Sequence, residues 1–320
     1  MLNVHMLEEF EAETLAELRA QLDARVQLTH GELSNDVHIL IGGRPTREQV
    51  LACPLLRAVI VPWAGVPDDT QALLREFPHL AVHNLHHNAA ATAEYAIALL
   101  MAAAKFIVPV DRQLRVNDWT PRYAPSRSIG LAGKTALIIG YGQIGQRVGR
   151  VCQALGMTVI ATRRNRVEKD EVAVVYATSE LSKLLPRADA LIITAPLTPE
   201  TKDLIGEQEL ALLPRGAILV NVGRGLIVDE AALFSALKSG HLGAAGLDVW
   251  YQYPGDEASR SNTAPSQFPF HELDNVVLSP HRGGDEIGID MQRMAELAEL
   301  LNCAARGEPL PNRVDVIAGY

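Results

Sequence analysis

An α/β protein built on two doubly wound parallel sheets is what the sequence predicts, and three observations carry the prediction. Short apolar runs alternate with helix-length segments almost from end to end; the rhythm breaks once, at a Pro-rich polar stretch; and it restarts at Lys134 with a glycine-rich turn directly behind the first strand. A chain of 320 residues, 48% of them hydrophobic, can bury substantial cores and favours two domains over one.

Taken in order, the first hundred residues show helical patterns over 8–22 and 69–76 and short apolar runs at 37–41, 58–61 and 80–82, the alternation of strands covered by helices. Residues 89–108 form a long Ala-rich helical pattern, and the polar segment WTPRYAPSRSIGLAG that follows reads as a linker. Six strands are then expected, at 135–139, 158–161, 190–194, 217–220, 245–249 and 276–278, separated by helix-length segments. The run 286–306 reads as one more amphipathic helix, long enough to cross back to the first domain.

Charge and composition narrow the partners. A formal net charge of −9 argues against a nucleic-acid surface, which needs a clustered excess of Lys and Arg, and leaves a small soluble ligand as the better expectation. Cys53, Cys152 and Cys303 have no CxxC spacing, suggesting neither a disulfide framework nor a zinc knuckle, so a reducing compartment is expected. The N-terminal stretch carries acids where a secretory signal needs basic and then apolar residues. The most apolar stretch, residues 95–104, is well short of the roughly twenty residues that span a bilayer. A cytoplasmic protein without membrane partners is the expectation.

The first strand after the linker runs into Gly140-Tyr141-Gly142-Gln143-Ile144-Gly145, and a helical pattern over 144–155 follows. In such a turn the first glycine permits the tight bend, the second lets a pyrophosphate approach the backbone, and the third allows close helix–strand packing, with the helix N-terminus facing the phosphates. Strand before and helix after turn a weak motif into a strong dinucleotide-binding signal. The next strand ends in VIATRRNR, and Arg163 lies eighteen residues after Gly145, near the place where an acid usually binds the adenosine ribose. An acid there would repel a 2′-phosphate; Arg163 and Arg164 would pair with it through charge and fork geometry, so NADP(H) is expected in preference to NAD(H). The alternative is a solvated basic loop, with Asn165 or Glu168 serving the ribose.

Three further segments put polar groups at strand ends, where open α/β sheets bind ligands: TAPLTPET (194–201, with Pro196), NVGRG (221–225) and SPHRGG (279–284). Together with AEYAIALLMAAAK, LAGKTALIIGYGQIG and GLIVDEAALFSALKSGHLGAAGLDVW, they resemble the D-isomer-specific 2-hydroxyacid dehydrogenases from residue 89 onward; the first eighty residues match loosely. The resemblance implies two Rossmann-like domains with a cleft between them. Residues 1–103 and 287–320 would form the substrate domain and 104–286 the dinucleotide-binding domain, in a protein that forms homodimers through the latter.

It also implies roles. Arg224 would grip the substrate carboxylate and His281 act as acid–base catalyst; Asp248 would help hold the nicotinamide carboxamide; Gly140, Gly142, Gln143, Ile144, Gly145, Arg163, Arg164 and Pro196 would line the coenzyme. Leu85 and His86 fall where the family places a substrate-contacting loop. The chemistry agrees independently: hydride arriving at a keto carbon leaves an alkoxide needing a proton, His titrates near neutrality, and Arg can hold a planar carboxylate by two parallel bonds. For Asp248 a second reading stands beside the first, a structural acid bonded to backbone amides of the next turn.

One position departs from the family pattern. A catalytic Glu usually follows that Asp by five residues and pairs with the His; here the sequence reads DVWYQYP, and Tyr253 stands in its place as the third candidate catalytic residue. A phenol can hydrogen-bond to imidazole but lends no negative charge, so His281 should be less basic than with Glu, unless Asp256, Glu257 or Asp285 reaches it. His83, His86 and His87, three histidines in five residues, raise a metal site as a possibility; without a Cys or carboxylate at suitable spacing, a contribution of charge or hydrogen bonds to an anion pocket is the stronger expectation. The function expected is NADP(H)-preferring reduction of a small 2-keto acid of the glyoxylate or hydroxypyruvate kind. The alternatives are a catalytically weakened cofactor-binding regulatory protein and a dehydrogenase of a small anion such as formate or phosphite.

Overall fold

The computed structural model describes residues 1–164 and 171–319. The chain divides into two compact units, Met1–Asn88 with Asp285–Tyr320, and Ala89–Gly284.

The first unit begins β1 (Leu2–Met6), α1 (Ala12–Gln21), β2 (Val26–His30), β3 (Ile39–Ile41), α2 (Arg47–Leu51), β4 (Ala58–Val61), α3 (Asp68–Arg75) and β5 (Ala81–Asn84). Its five strands are all parallel, in the order β2-β1-β3-β4-β5, one of the two common doubly wound orders. Successive residues serve opposite faces: Ile39 and Ile41 enter one core with Leu2, Val4 and Met6, while Leu40 enters another with Val59, Leu74 and Val82. Both faces are thus buried, which is why these strands read as continuous apolar runs.

The second unit contains α4 (Ala89–Lys105), α5 (Ile107–Arg115), α6 (Thr120–Tyr123), β6 (Thr135–Ile139), α7 (Gln143–Ala154), β7 (Thr158–Arg163), β8 (Val174–Ala177), α8 (Leu181–Leu184), β9 (Ala190–Ile193), α9 (Glu207–Leu212), β10 (Ala217–Asn221), α10 (Glu230–Lys238), β11 (Leu242–Leu247) and β12 (Val276–Leu278). Seven parallel strands run β12-β11-β10-β9-β6-β7-β8. The strand order reverses between β6 and β9, the switch point beside which open sheets of this kind bind ligands. The sheet has one strand more than the sequence suggested: β8 is a short edge strand whose first residue, Val174, is exposed.

Residues 89–103, placed by the sequence reading in the substrate domain, group with the second unit. The reason is the small-residue face of α4, where Ala93, Ala96, Leu100, Ala103 and Ala104 join Ala136, Ile138, Val220 and Ala244 of the sheet in one core. The helix stops at Lys105 rather than continuing to 108, because Phe106 adopts a left-handed conformation (φ 52°) and starts α5 in a new direction. Among the described residues no single helix is long and apolar enough to cross a membrane.

The last helix, α11 (Ile289–Arg306), returns to the first unit. Met294, Leu297, Ala298 and Leu301 recur at helical spacing and bury against β1, β3 and α1.

Candidate functional site: a dinucleotide turn and an Arg–His pair

The turn after β6 has the geometry that close approach demands. Gly140 sits at φ 92°, and a Cβ there would come within 2.6 Å of the Ala195 backbone, so the β6 and β9 loops can meet only because no side chain intervenes. A Cβ on Gly145 would strike the Gly140 carbonyl oxygen, while one on Gly142 would meet nothing. Helix α7 opens at Gly142 and presents the first-turn amides of Gln143, Ile144 and Gly145. The open space at Gly142, beside a helix N-terminus at the switch point, fits a pyrophosphate. The sequence reading passed over the Thr194 hydroxyl, which donates to the Gly140 carbonyl at 2.6 Å and ties the two loops together.

Arg163 is the last residue of β7 and is exposed. Arg164 donates from Nε and Nη2 to one carboxylate oxygen of Glu200, at 3.1 and 2.9 Å. Glu200 lies in the loop that carries the exposed Pro196, where Thr201 Oγ1 donates to the Pro196 carbonyl at 2.7 Å. The cationic rim therefore joins the β7 and β9 loops. Asn165 and Glu168, the alternative ribose partners, lie outside the described residues.

Arg224 follows β10 in a turn stapled by a buried amide. Asn221, 2% exposed, accepts the Gly223 N–H and donates to the Arg224 carbonyl, both at 3.0 Å. This Asn begins the NVGRG segment, but nothing in its sequence context distinguished a staple from a strand residue. The Arg224 guanidinium donates to the Gly223 carbonyl at 2.7 Å. That single bond leaves most of its five donors for a ligand.

His281 is held in the left-handed region at φ 59°, a conformation that costs a non-glycine residue free energy and persists only where its surroundings enforce it. Asp248 is the enforcer. Its carboxylate, 1% exposed, accepts the Ser279 hydroxyl and the backbone N–H groups of Arg282 and Gly283, the latter two at 2.8 Å, bracketing His281 on both sides. The geometry gives Asp248 the structural role of the second reading. The brace continues outward: Tyr95 Oη lies 2.9 Å from Ser279 Oγ, and the Trp250 indole donates to the Ser279 carbonyl at 2.7 Å.

Of the candidates the sequence left open, Tyr253 is the group on the imidazole. Tyr253 Oη lies 3.0 Å from His281 Nδ1 and accepts the Trp250 N–H at 3.1 Å. Asp256 is instead engaged with Ser259, and Glu257 with Arg260. Desolvation and the nearby Arg224 guanidinium push the His281 pKa below its ordinary value, with Asp248 opposing them. A neutral imidazole near neutrality is what replacement of the family's carboxylate by a phenol predicts.

Leu85 and His86 belong to the first unit. The Leu85 side chain is fully buried in that unit's core, so it cannot supply a side-chain contact to substrate; only its backbone could. The His86 backbone N–H is shared by both oxygens of Glu296, at 2.9 Å each. His83 Nδ1 meets the Pro311 carbonyl at 2.7 Å, and His87 Nε2 accepts from Arg293. Burial lowers the pKa of His83, and burial with Arg293 lowers that of His87 to about 4, so these two offer hydrogen bonds rather than positive charge near neutral pH. Among the described residues no group of three or more His, Cys, Asp or Glu is placed to hold a metal ion.

A seven-stranded sheet with a glycine turn at its switch point and a basic rim beyond defines the class: a dinucleotide-binding α/β protein with an Arg–His pair at its strand ends. The particular family follows from comparison. The model for the NAD binding domain of the D-isomer specific 2-hydroxyacid dehydrogenases matches residues 97–283, and the chain belongs to that family. It is 41% identical over 230 residues to a glyoxylate reductase of Korarchaeum cryptofilum, covering 70% of this chain and 65% of that protein. It is 30% identical over 303 residues to a D-3-phosphoglycerate dehydrogenase of Methanocaldococcus jannaschii, covering 92% of this chain and 56% of that one. The matched region thus spans about two-thirds or less of the length of these relatives. In structure it resembles a D-isomer specific 2-hydroxyacid dehydrogenase from Xanthobacter autotrophicus Py2, solved with NADPH and MES, with a TM-score of 0.81, 25% identity and 99% of both chains covered.

Proposed function

We propose that this protein is an NADP(H)-preferring oxidoreductase that interconverts a small 2-keto acid and its 2-hydroxy acid, with glyoxylate and hydroxypyruvate as the substrates of first choice. The observation that carries the reading is that Arg224 and His281 stand, within one unit, on turns after β10 and β12 of the same sheet, braced by Asn221 and Asp248. The glyoxylate reductase relatives support the substrate class, and the basic rim of Arg163 and Arg164 supports the coenzyme. So does the NADPH bound in the Xanthobacter structure.

In this mechanism Arg224 grips the substrate carboxylate through two parallel N–H bonds and fixes the carbonyl carbon. His281 holds the carbonyl oxygen and gives it a proton as negative charge develops there. The nicotinamide coenzyme, when bound, supplies the hydride. Gly140, Gly142 and Gly145 admit the pyrophosphate, the amides of Gln143 and Ile144 face it, Pro196 borders it, and Arg163 and Arg164 take the adenosine 2′-phosphate. Asp248 contributes by holding the His281 turn. The exposed apolar side chains of α5, Ile107, Val110 and Leu114, offer a surface for a second copy, consistent with a homodimer. Three free thiols suit a reducing compartment, the cytoplasm.

The test is the full chain supplied with glyoxylate, hydroxypyruvate and phenylpyruvate and with each reduced nicotinamide coenzyme in turn, followed by absorbance. Turnover of at least one keto acid, with higher kcat/KM for NADPH than for NADH, is expected. Tight NADPH binding without turnover of any of them would replace this reading with a regulatory role. Reduction of NADP⁺ by formate or phosphite alone would replace it with small-anion oxidation.

A further inference from the structure

Tyr253 stands where the family's carboxylate would pair with the histidine, and the hydrogen bonds around it set a different direction for the proton. The Trp250 N–H donates to Tyr253 Oη at 3.1 Å, a bond that cannot be reversed because the amide has only a donor to offer. Oη then lies 3.0 Å from His281 Nδ1. A phenol is a good O–H donor and a poor acceptor, since its lone pair is delocalised into the ring, whereas the bare nitrogen of a neutral imidazole is a strong acceptor. With Oη already accepting the Trp250 N–H, this arrangement favours a phenolic hydrogen directed at Nδ1 and an imidazole proton on Nε2. A carboxylate at this position would do the opposite: it accepts from Nδ1–H and favours the doubly protonated ring.

We propose that Tyr253 and His281 form a two-proton relay, in which the phenol fixes the Nε2–H tautomer and replaces the proton that His281 gives to the substrate oxygen. The relay rests on the keto-acid reading above. In the reductive direction a C–H bond forms at the carbonyl carbon, which is reduced as the nicotinamide is oxidised, and the carbonyl π pair moves to oxygen. That oxygen takes the Nε2 proton; the Nε2–H bond breaks, an Nδ1–H bond forms, and the Tyr253 O–H bond breaks to leave a phenolate. After product departs, a solvent proton enters at Nε2 and the Nδ1 proton returns to Tyr253. His281 never has to become imidazolium before it can act, which suits a ring whose basicity is already depressed.

The charged and titratable groups recorded around the relay fit this use. Arg224, from the turn after β10, disfavours imidazolium at His281 and favours phenolate at Tyr253, and Asp248, at the end of β11, acts against both effects. Burial raises the Tyr253 pKa while the Trp250 N–H lowers it, so the phenol stays protonated until chemistry calls on it. Tyr253 acts through His281 and is a positioning and proton-supplying residue. The Asp248 brace on Arg282 and Gly283 fixes the ring that it must meet.

The test compares the wild type with Tyr253→Phe and Tyr253→Glu by nitrogen NMR of His281, pH profile and solvent deuterium inventory. The wild type should show the Nε2–H tautomer, a rate that does not fall as pH rises through the histidine range, and a bowed inventory from two protons in flight. Tyr253→Phe should lose about 10- to 100-fold in kcat with little change in coenzyme affinity, become dependent on imidazolium so that its rate falls with rising pH, and show a linear inventory. Tyr253→Glu should recover much of the rate with that alkaline limb moved to higher pH. An Nδ1–H tautomer in the wild type, or a Phe variant with unchanged rate and pH profile, overturns the relay. The underlying keto-acid reading fails separately, if His281→Gln leaves turnover intact or the wild type turns over no keto acid; the NMR tautomer still decides the pairing in that event.

Discussion

Replacing Asp248 with Asn tests whether that carboxylate holds the His281 turn or serves the coenzyme. One Asp248 oxygen accepts both the Ser279 hydroxyl and the Arg282 N–H, and the other accepts the Gly283 N–H. Asn keeps one acceptor and substitutes an NH₂ for the other, so at least one buried N–H must face a donor. Leaving a buried donor unsatisfied costs about 1–3 kcal/mol, and loss of the charge weakens the surviving bonds by about 0.5–1 kcal/mol together. The expected loss is therefore about 2–4 kcal/mol, which for a unit of this size lowers Tm by about 5–12 °C. Scanning calorimetry reads the shift, and kcat for keto-acid reduction should fall with it, because the Asp248 bonds on either side of residue 281 hold it at φ 59°. A variant that melts within about 1 °C of wild type refutes the brace. If that variant also loses coenzyme affinity, the carboxamide role expected from the family resemblance would be the correct one.

Three other outcomes follow from charges placed elsewhere. Arg163→Ala combined with Arg164→Ala should raise KM for NADPH by about 10- to 100-fold, as charge-assisted phosphate bonds are lost, while leaving KM for NADH nearly unchanged; Glu200→Gln should lower KM for NADPH by removing a carboxylate that would repel the 2′-phosphate and compete for Arg164. His87, with its pKa lowered to about 4 from 6.5, binds a proton in the unfolded chain before it does so in the folded one. Stability should then be fully present above pH 6.5, fall as pH drops toward 4 by about 1–2 kcal/mol once solvent screening of this half-buried ring is allowed for, and level off below. Denaturant titrations of wild type and His87→Gln across that window should differ in slope with pH; parallel curves would show that His87 titrates normally.

Much of the fold was legible because parallel strands buried on both faces read as bare apolar runs. In the first sheet, the strands missed were those that break this pattern. β1 contains Asn3 and His5, whose side chains find Asp36 and Thr29 as partners, and β2 alternates polar and apolar residues at a sheet edge. The glycine turn, Arg224, His281 and the placing of Tyr253 at the family's Glu position were readable because each lies in a short segment whose chemistry is local; which group meets the imidazole was not. What holds them was not. Ser279, Asp248, Trp250 and Gly283 meet across about thirty residues of sequence, and no spacing rule announces such a contact. Leu85 shows the converse, a residue in a loop-like segment whose side chain belongs to the core.

The most direct test of the central claim is the kinetics of 2-keto-acid reduction by Arg224→Ala beside the wild type, with NADPH saturating. Two charge-assisted bonds to a carboxylate are worth about 3–6 kcal/mol, so kcat/KM for every accepted keto acid should fall by about 10²- to 10⁴-fold while NADPH binding stays as it was. Turnover of the same acids at the wild-type rate would contradict the assignment of Arg224 as the substrate anchor, and with it the reading of this site.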